Sequence, residues 1–170
     1  MLSAERRKGF EALVADDDPG VRDLLVEFLS NRGLQVGSAV DGRAAVTALE
    51  RCEGHCRLVF ADISMPGADG FAVLTAARQA NPLAYVVMMT GYGTLESAIH
   101  AVRLGAQDYL TKPFSLGQVD VILRQATARQ ALEHASTRVA DPSLKDMLAR
   151  IENRLTLMEQ QLSSLCGRAR

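Results

Sequence analysis

Four groups of residues in this 170-residue chain have side chains suited to chemistry. Asp16, Asp17 and Asp18 follow one apolar run, and Asp62 ends another. Thr90-Gly91 ends a third, and Lys112-Pro113 follows a fourth. At least three carboxylates, a hydroxyl and an ammonium brought to one place have a definite electrostatic problem. Two carboxylates ~4 Å apart repel by about 4 kcal/mol at an effective dielectric of ~20. Either their pKa values rise or a cation neutralises them. An oxygen-only set with room for water suits Mg²⁺ better than zinc. Mg²⁺ with open positions accepts phosphate oxygens, Lys112 pairs with the same phosphate, and Thr90 donates to it. Asp62 then serves as nucleophile, since carboxylates form aspartyl-phosphates. Phosphoryl transfer needs mainly charge neutralisation and in-line positioning.

These groups meet only if the chain folds to bring them together. Short apolar runs at 10–16, 34–40, 57–62, 84–90 and 108–111 alternate with helix-like segments at 19–32, 42–52, 69–80, 94–104 and 115–135. Strands separated by helices of that length make βαβ units and a parallel sheet. Continuous apolar strands mean a sheet covered on both faces. The predicted fold is α/β, a doubly wound five-stranded parallel sheet of flavodoxin-like order 2-1-3-4-5, plus a C-terminal helix. In such sheets the ligand site lies at the carboxyl ends of the strands, where all four groups fall. Pro19 suits a first helical position and Gly33 a helix stop. Asp18, one residue past its strand, reads as a helix cap or first-turn acid.

The motifs Asp16-Asp17, Asp62-Ile63-Ser64-Met65-Pro66-Gly67, Thr90-Gly91 and Tyr109-Leu110-Thr111-Lys112-Pro113-Phe114 resemble the receiver domains of two-component response regulators. The resemblance covers about residues 9–130. It implies that Asp62 accepts phosphate from a histidine kinase or phosphotransfer protein. Asp17 and Asp62, with Asp16 partly through water, would hold Mg²⁺ together with the backbone carbonyl of Ser64. Thr90 would contact the phosphoryl group and Lys112 would bridge to it. Tyr109 would be an aromatic switch, and Pro113 would follow a cis peptide.

The remaining composition narrows the choices. Net charge is −1 and 48% of residues are hydrophobic, so nothing global points to nucleic acid or an anionic membrane. No apolar run approaches the ~20 residues of a bilayer span, and the expected location is cytoplasmic. The three cysteines, Cys52, Cys56 and Cys166, have neither haem nor zinc spacing and read as reduced thiols. His55, His100 and His134 lie outside the predicted site, and Met88-Met89 reads as core.

The expected organisation is an N-terminal extension at 1–9, a receiver domain at 10–135, a linker at 136–143, a coiled-coil helix at 144–165 and a tail at 166–170. In that helix Leu148, Leu155 and Leu162 take a positions, and Leu144, Ile151, Met158 and Leu165 take d positions. The narrow stripe favours a coiled-coil seam, giving a homodimer or a docking helix for another protein, over a single helix packed on its own receiver. The predicted function is a phospho-acceptor switch of protein–protein contacts, not an enzyme, able to label itself from small phosphodonors; slow autodephosphorylation stays open. Three rivals stand beside it. One is a phosphate-independent dimerisation scaffold. Another is a phosphohydrolase, disfavoured because Ser64 and Tyr92 stand where a second acid would be needed. The last is a fragment of a longer transcriptional activator.

Overall fold

The computed structural model describes residues 10–139, with side chains through 132. The strands are β1 (Ala12–Ala15), β2 (Val36–Ala39), β3 (Leu58–Asp62), β4 (Tyr85–Thr90) and β5 (Asp108–Thr111). The helices are α1 (Pro19–Ser30), α2 (Gly42–Arg51), α3 (Gly70–Ala80), α4 (Leu95–Arg103) and α5 (Leu116–Val139). All strand pairings are parallel, in the order β2-β1-β3-β4-β5. This is the predicted sheet.

Alternation along the strands divides the core in two, because successive side chains leave a strand on opposite faces. Leu13 and Ala15, Val59 and Ala61, Val86 and Met88 pack with Leu49, Val73 and Leu74 of α2 and α3. Ala12 and Val14, Leu58 and Phe60, Val87 and Met89 pack with Leu25 and Leu29 of α1 and Val119 and Ile122 of α5. Every residue of β1, β3 and β4 is buried. That explains their unbroken apolar composition.

Helix starts follow from capping chemistry. Asp18, Asp41 and Asp69 accept backbone N–H groups at the openings of α1, α2 and α3, and Thr94 does so for α4. Asp69 and Thr94, predicted inside their helices, are the caps that precede them. The first strand is shorter than the predicted 10–16 and the second shorter than 34–40. Leu34 still closes α1 by donating its N–H to Leu29 O. Gly33 reaches φ +87°, a left-handed turn that glycine makes without strain.

Of the described residues, 10–126 belong to one compact unit, and a second begins at Thr127. The described part of the second is the end of α5, which runs to Val139 and not to 135. Residues 136–139 of the predicted linker are therefore helical. Ser136 and Thr137 do not break a helix; the expected breaker, Pro142, lies outside the described residues, as do the extension at 1–9, the heptads at 144–165 and the tail. Among the described residues no helix is long and apolar enough to cross a membrane.

Candidate functional site

The parallel register sets the site. Asp62 on β3 pairs with Met89, beside Thr90, and Thr90 pairs with Thr111, beside Lys112. The ladder continues past the strand ends: the Ile63 N–H donates to Met89 O at 2.8 Å, and the Lys112 N–H to Thr90 O at 2.7 Å. Three loops are thereby pinned at their roots.

Lys112 Nζ lies 2.9 Å from Asp62 Oδ2 and 2.7 Å from Asp16 Oδ2. It joins two carboxylates that are nearly fully buried. Its bond to Asp62 is a directed hydrogen bond. The approach to Asp16 Oδ2 is an ion pair, and that buried oxygen accepts no well-aligned hydrogen bond. Asp16 Oδ1 accepts the Asp18 N–H at 3.0 Å. Burial pushes the Asp16 carboxyl above its ordinary range; the close Lys112 ammonium and the Asp18 N–H oppose this without overcoming it, and Asp62 adds to the rise. Burial also works against the Lys112 charge, but its two carboxylate partners outweigh it and hold its pKa above the ordinary lysine value.

Asp17 is exposed, and one carboxylate oxygen from each of Asp16, Asp17 and Asp62 lies within 4.8 Å of the others. Three carboxylates against one ammonium leave two negative charges. An oxygen-only donor set, an under-bonded buried oxygen and that charge fit a hard divalent cation.

The predicted residues thus divide. Asp16, Asp17, Asp62 and Lys112 form one cluster. Ser64 meets Asp62 through its backbone N–H, 3.4 Å from Oδ1. Thr90 is buried at the end of β4, where its Oγ1 accepts the Tyr92 N–H at 3.1 Å. That contact uses a lone pair and leaves the hydroxyl proton free to be donated. Tyr109 is half-buried one strand over and packs on the opposite side of the sheet from Phe60. The Lys112–Pro113 peptide is cis, as the resemblance implied. Asp18 caps α1 and holds Gly20 N–H at 2.8 Å, so its reading as a cap stands.

Two supporting residues went unseen as such in the sequence. Arg22 donates to the Asp16 carbonyl at 3.0 Å, pinning the backbone of the acidic run. Gly70, the first residue of α3, lies close against the backbone of Asp62: a Cβ there would sit 2.3 Å from Asp62 O. Neither carries a sequence signal, because both act on main-chain atoms.

Other candidates recede. Cys52 and Cys56 are buried free thiols, and burial pushes the Cys56 thiol far up. They have the character of inert core residues. A depression of about 640 Å³ beside α2, lined by Phe10, Asp41, Arg43, Thr47 and Arg51 among others, contains none of the strand-end groups.

Comparison with known proteins agrees with this geometry. A family model described as the response regulator receiver domain matches residues 12–124. The transcriptional regulatory protein TcrA of Mycobacterium tuberculosis is 35% identical over 143 residues, covering 81% of this chain and 56% of TcrA. The C4-dicarboxylate transport transcriptional regulatory protein DctD of Pseudomonas aeruginosa is 33% identical over 162 residues, covering 92% of this chain and 35% of DctD. Among solved structures, the receiver domain of NtrX from Brucella abortus superposes with a TM-score of 0.60 at 36% identity, covering 68% of this chain and 96% of that one. A CheY-like receiver domain protein from Methanospirillum hungatei gives 0.63 at 24% identity, covering 71% and 95%, a likeness of fold alone. The chain spans about half the length, or less, of these curated relatives.

Proposed function

The chain belongs to the response regulator receiver domain family, and from that premise we propose that it is a phospho-acceptor switch that takes its phosphoryl group on Asp62. The observation that carries this is Lys112, whose ammonium joins Asp62 to Asp16 within an acidic cluster of net charge −2. Asp62 Oδ2 is committed to Lys112, so Oδ1, with only a long contact to the Ser64 N–H, is the oxygen that attacks. The donor is a phosphohistidine on a histidine kinase or phosphotransfer protein. The Asp62 O–P bond forms, the P–N bond breaks, and the imidazole leaves with the electron pair and is protonated. Lys112 then shifts its bond from the carboxylate to the new phosphoryl oxygens. Asp16, Asp17, Asp62 and the Ser64 carbonyl would hold Mg²⁺, which supplies charge neutralisation at the phosphoryl oxygens.

The Thr90 hydroxyl follows the phosphoryl group, and the Tyr109 ring turns into the space it leaves. The surface of α4, β5 and α5 is biased in this way between two states. Tyr92, Leu95 and Val102, all strongly exposed, give that surface apolar anchors for a partner. Residues 10–135 act as the receiver, and the heptads at 144–165 serve self-association or a helical partner. Because TcrA and DctD are transcriptional regulators of greater length, a second reading places this chain as the receiver part of such a regulator, with DNA contact made elsewhere.

Incubation with Mg²⁺ and acetyl phosphate, followed by mapping of the adduct, tests the central assignment. A labile adduct on Asp62 is expected, with labelling lost in Asp62→Asn. An adduct elsewhere with Asp62 unmodified overturns it.

A further inference from the structure

The Tyr109 phenol ends on a polar partner. Its hydroxyl oxygen lies 2.7 Å from that of Ser97, in the first turn of α4. Ser97 is already engaged there. It and Thr94 form a reciprocal cap: the Ser97 N–H donates to Thr94 Oγ1 at 3.1 Å, and the Thr94 N–H donates to Ser97 Oγ at 3.2 Å. The Ser97 hydroxyl also donates to the Thr94 carbonyl at 2.9 Å, and the Thr94 hydroxyl lies 3.1 Å from Ser97 Oγ.

A serine oxygen has one proton to give and two lone pairs to offer. The Ser97 proton goes to the Thr94 carbonyl, and one lone pair takes the Thr94 N–H. One lone pair remains, and two hydroxyls converge on it. Tyr109 at 2.7 Å has the better claim than Thr94 at 3.1 Å. If the phenol leaves, the Thr94 hydroxyl is already in place to donate instead. The first turn of α4 then keeps its full set of capping bonds.

We propose that Ser97 is a positioning residue for Tyr109, holding the phenol at α4 through a lone pair for which the Thr94 hydroxyl is the built-in substitute. Release of the ring therefore leaves the cap of α4 intact. This rests on the reading of Tyr109 as the moving aromatic. It adds the two groups that set how easily it moves. Neither Ser97 nor Thr94 belongs to the acidic cluster, so both can be changed without touching Asp62, Asp16, Asp17 or Lys112.

Two substitutions remove the same bond from opposite sides with different side effects. Ser97→Ala takes away the phenol's partner and half of the cap. Tyr109→Phe takes away only the phenol's hydroxyl, and Thr94 fills the vacancy. If Ser97 acts on the ring through this bond alone, the two changes are non-additive.

The test uses the full chain with ¹³C ring-labelled tyrosine, without phosphate or a phosphate mimic, in the wild type, Ser97→Ala, Ser97→Thr, Tyr109→Phe (with labelled phenylalanine) and the double variant. In the wild type, cross-relaxation should connect the Tyr109 ring with Ser97 and with Gly93, where an added Cβ would lie 3.6 Å from Tyr109 Cε1. The population with the ring turned away from α4 should rise about fivefold in Ser97→Ala, the worth of one neutral hydrogen bond. Ser97→Thr should restore it, Tyr109→Phe should match Ser97→Ala, and the double variant should add nothing. Amide exchange in the first turn of α4 should quicken in Ser97→Ala and stay unchanged in Tyr109→Phe. Unchanged ring contacts in Ser97→Ala, additive effects in the double variant, or a frayed first turn in Tyr109→Phe would each overturn the proposal. None of these readouts uses phosphate. A chain that refuses acetyl phosphate at Asp62 defeats the phospho-acceptor reading, whereas one that accepts it while failing here defeats only the role of Ser97.

Discussion

The two halves of the strand-end surface are built from opposite materials. On one side Asp16, Asp17, Asp62 and Lys112 are held by charge, with an ammonium pinned between two buried carboxylates. On the other, Thr90, Thr94, Ser97 and Tyr109 are held by neutral hydroxyls whose lone pairs are shared and exchangeable. Charged pairs in a buried setting cost several kcal/mol to disrupt, whereas a neutral hydrogen bond nets about 1 kcal/mol. On the proposed function, this sets a rigid acceptor beside an easily shifted reporter, so that the acceptor would keep its geometry while the reporter changed state for the free energy of one ligand.

Breaking the charged half should give the largest effect. Lys112→Met leaves Asp16 and Asp62 buried without their cation and should cost about 3 kcal/mol in Mg²⁺-free urea melts, with loss of the phosphorylation response. The cost should shrink as pH falls and the Asp16 carboxyl, which burial holds above its ordinary range, takes up a proton. Unchanged stability at pH 8 would mean that the ion pairs are incidental. Gly70→Ala forces a Cβ against the Asp62 carbonyl. It should cost about 2 kcal/mol by overpacking and slow labelling by acetyl phosphate, since the nucleophile's own backbone must move.

Asp16→Asn sharpens the contrast by reversing its sign. Removing a carboxylate whose charge is opposed by burial and, to a lesser degree, by Asp62 should stabilise the metal-free chain by about 1 kcal/mol, while the Mg²⁺-dependent rise in melting temperature disappears. A melting curve with and without Mg²⁺ reads both. In the neutral half, Thr90→Ala should change stability by about 1 kcal/mol at most. It should still take phosphate on Asp62, with the amide shifts of α4 and β5 that accompany phosphorylation in the wild type much reduced. Identical shifts in both would remove Thr90 from the mechanism. Asp18→Asn is the smallest: it preserves the cap of α1 and should alter stability by only a few tenths of a kcal/mol, leaving Mg²⁺ affinity nearly unchanged.

The charged half was largely legible in the sequence and the neutral half only partly. Asp16, Asp62 and Lys112 each follow or end an apolar run, and a parallel sheet necessarily gathers such positions at one edge. Ser97 offered no such sign. It lies inside a polar-looking helix start, and its partner Tyr109 is twelve residues away on a different element. Arg22 and Gly70 were silent as site residues for another reason: they serve backbone atoms, which carry no residue type. The strand limits were overestimated at 10–16 and 34–40 because an apolar residue beside a strand reads like one within it. Helix α5 was cut short because Ser136 and Thr137 looked like linker composition and do not stop a helix.

The alternation along the strands sets a rule for how such a chain tolerates insertions and deletions. Asp62 continues the series Leu58, Phe60 toward α1 and α5, whereas Thr90 continues Val86, Met88 toward α2 and α3. Adding or removing one residue within β3 or β4 carries the terminal chemical group to the wrong face of the sheet and inverts the packing of everything after the change. The same event in the turn after Gly33 or near Asn81-Pro82 leaves both series in phase. Lineages and engineered libraries built on this frame should therefore vary in length where strands begin and hold length where they end.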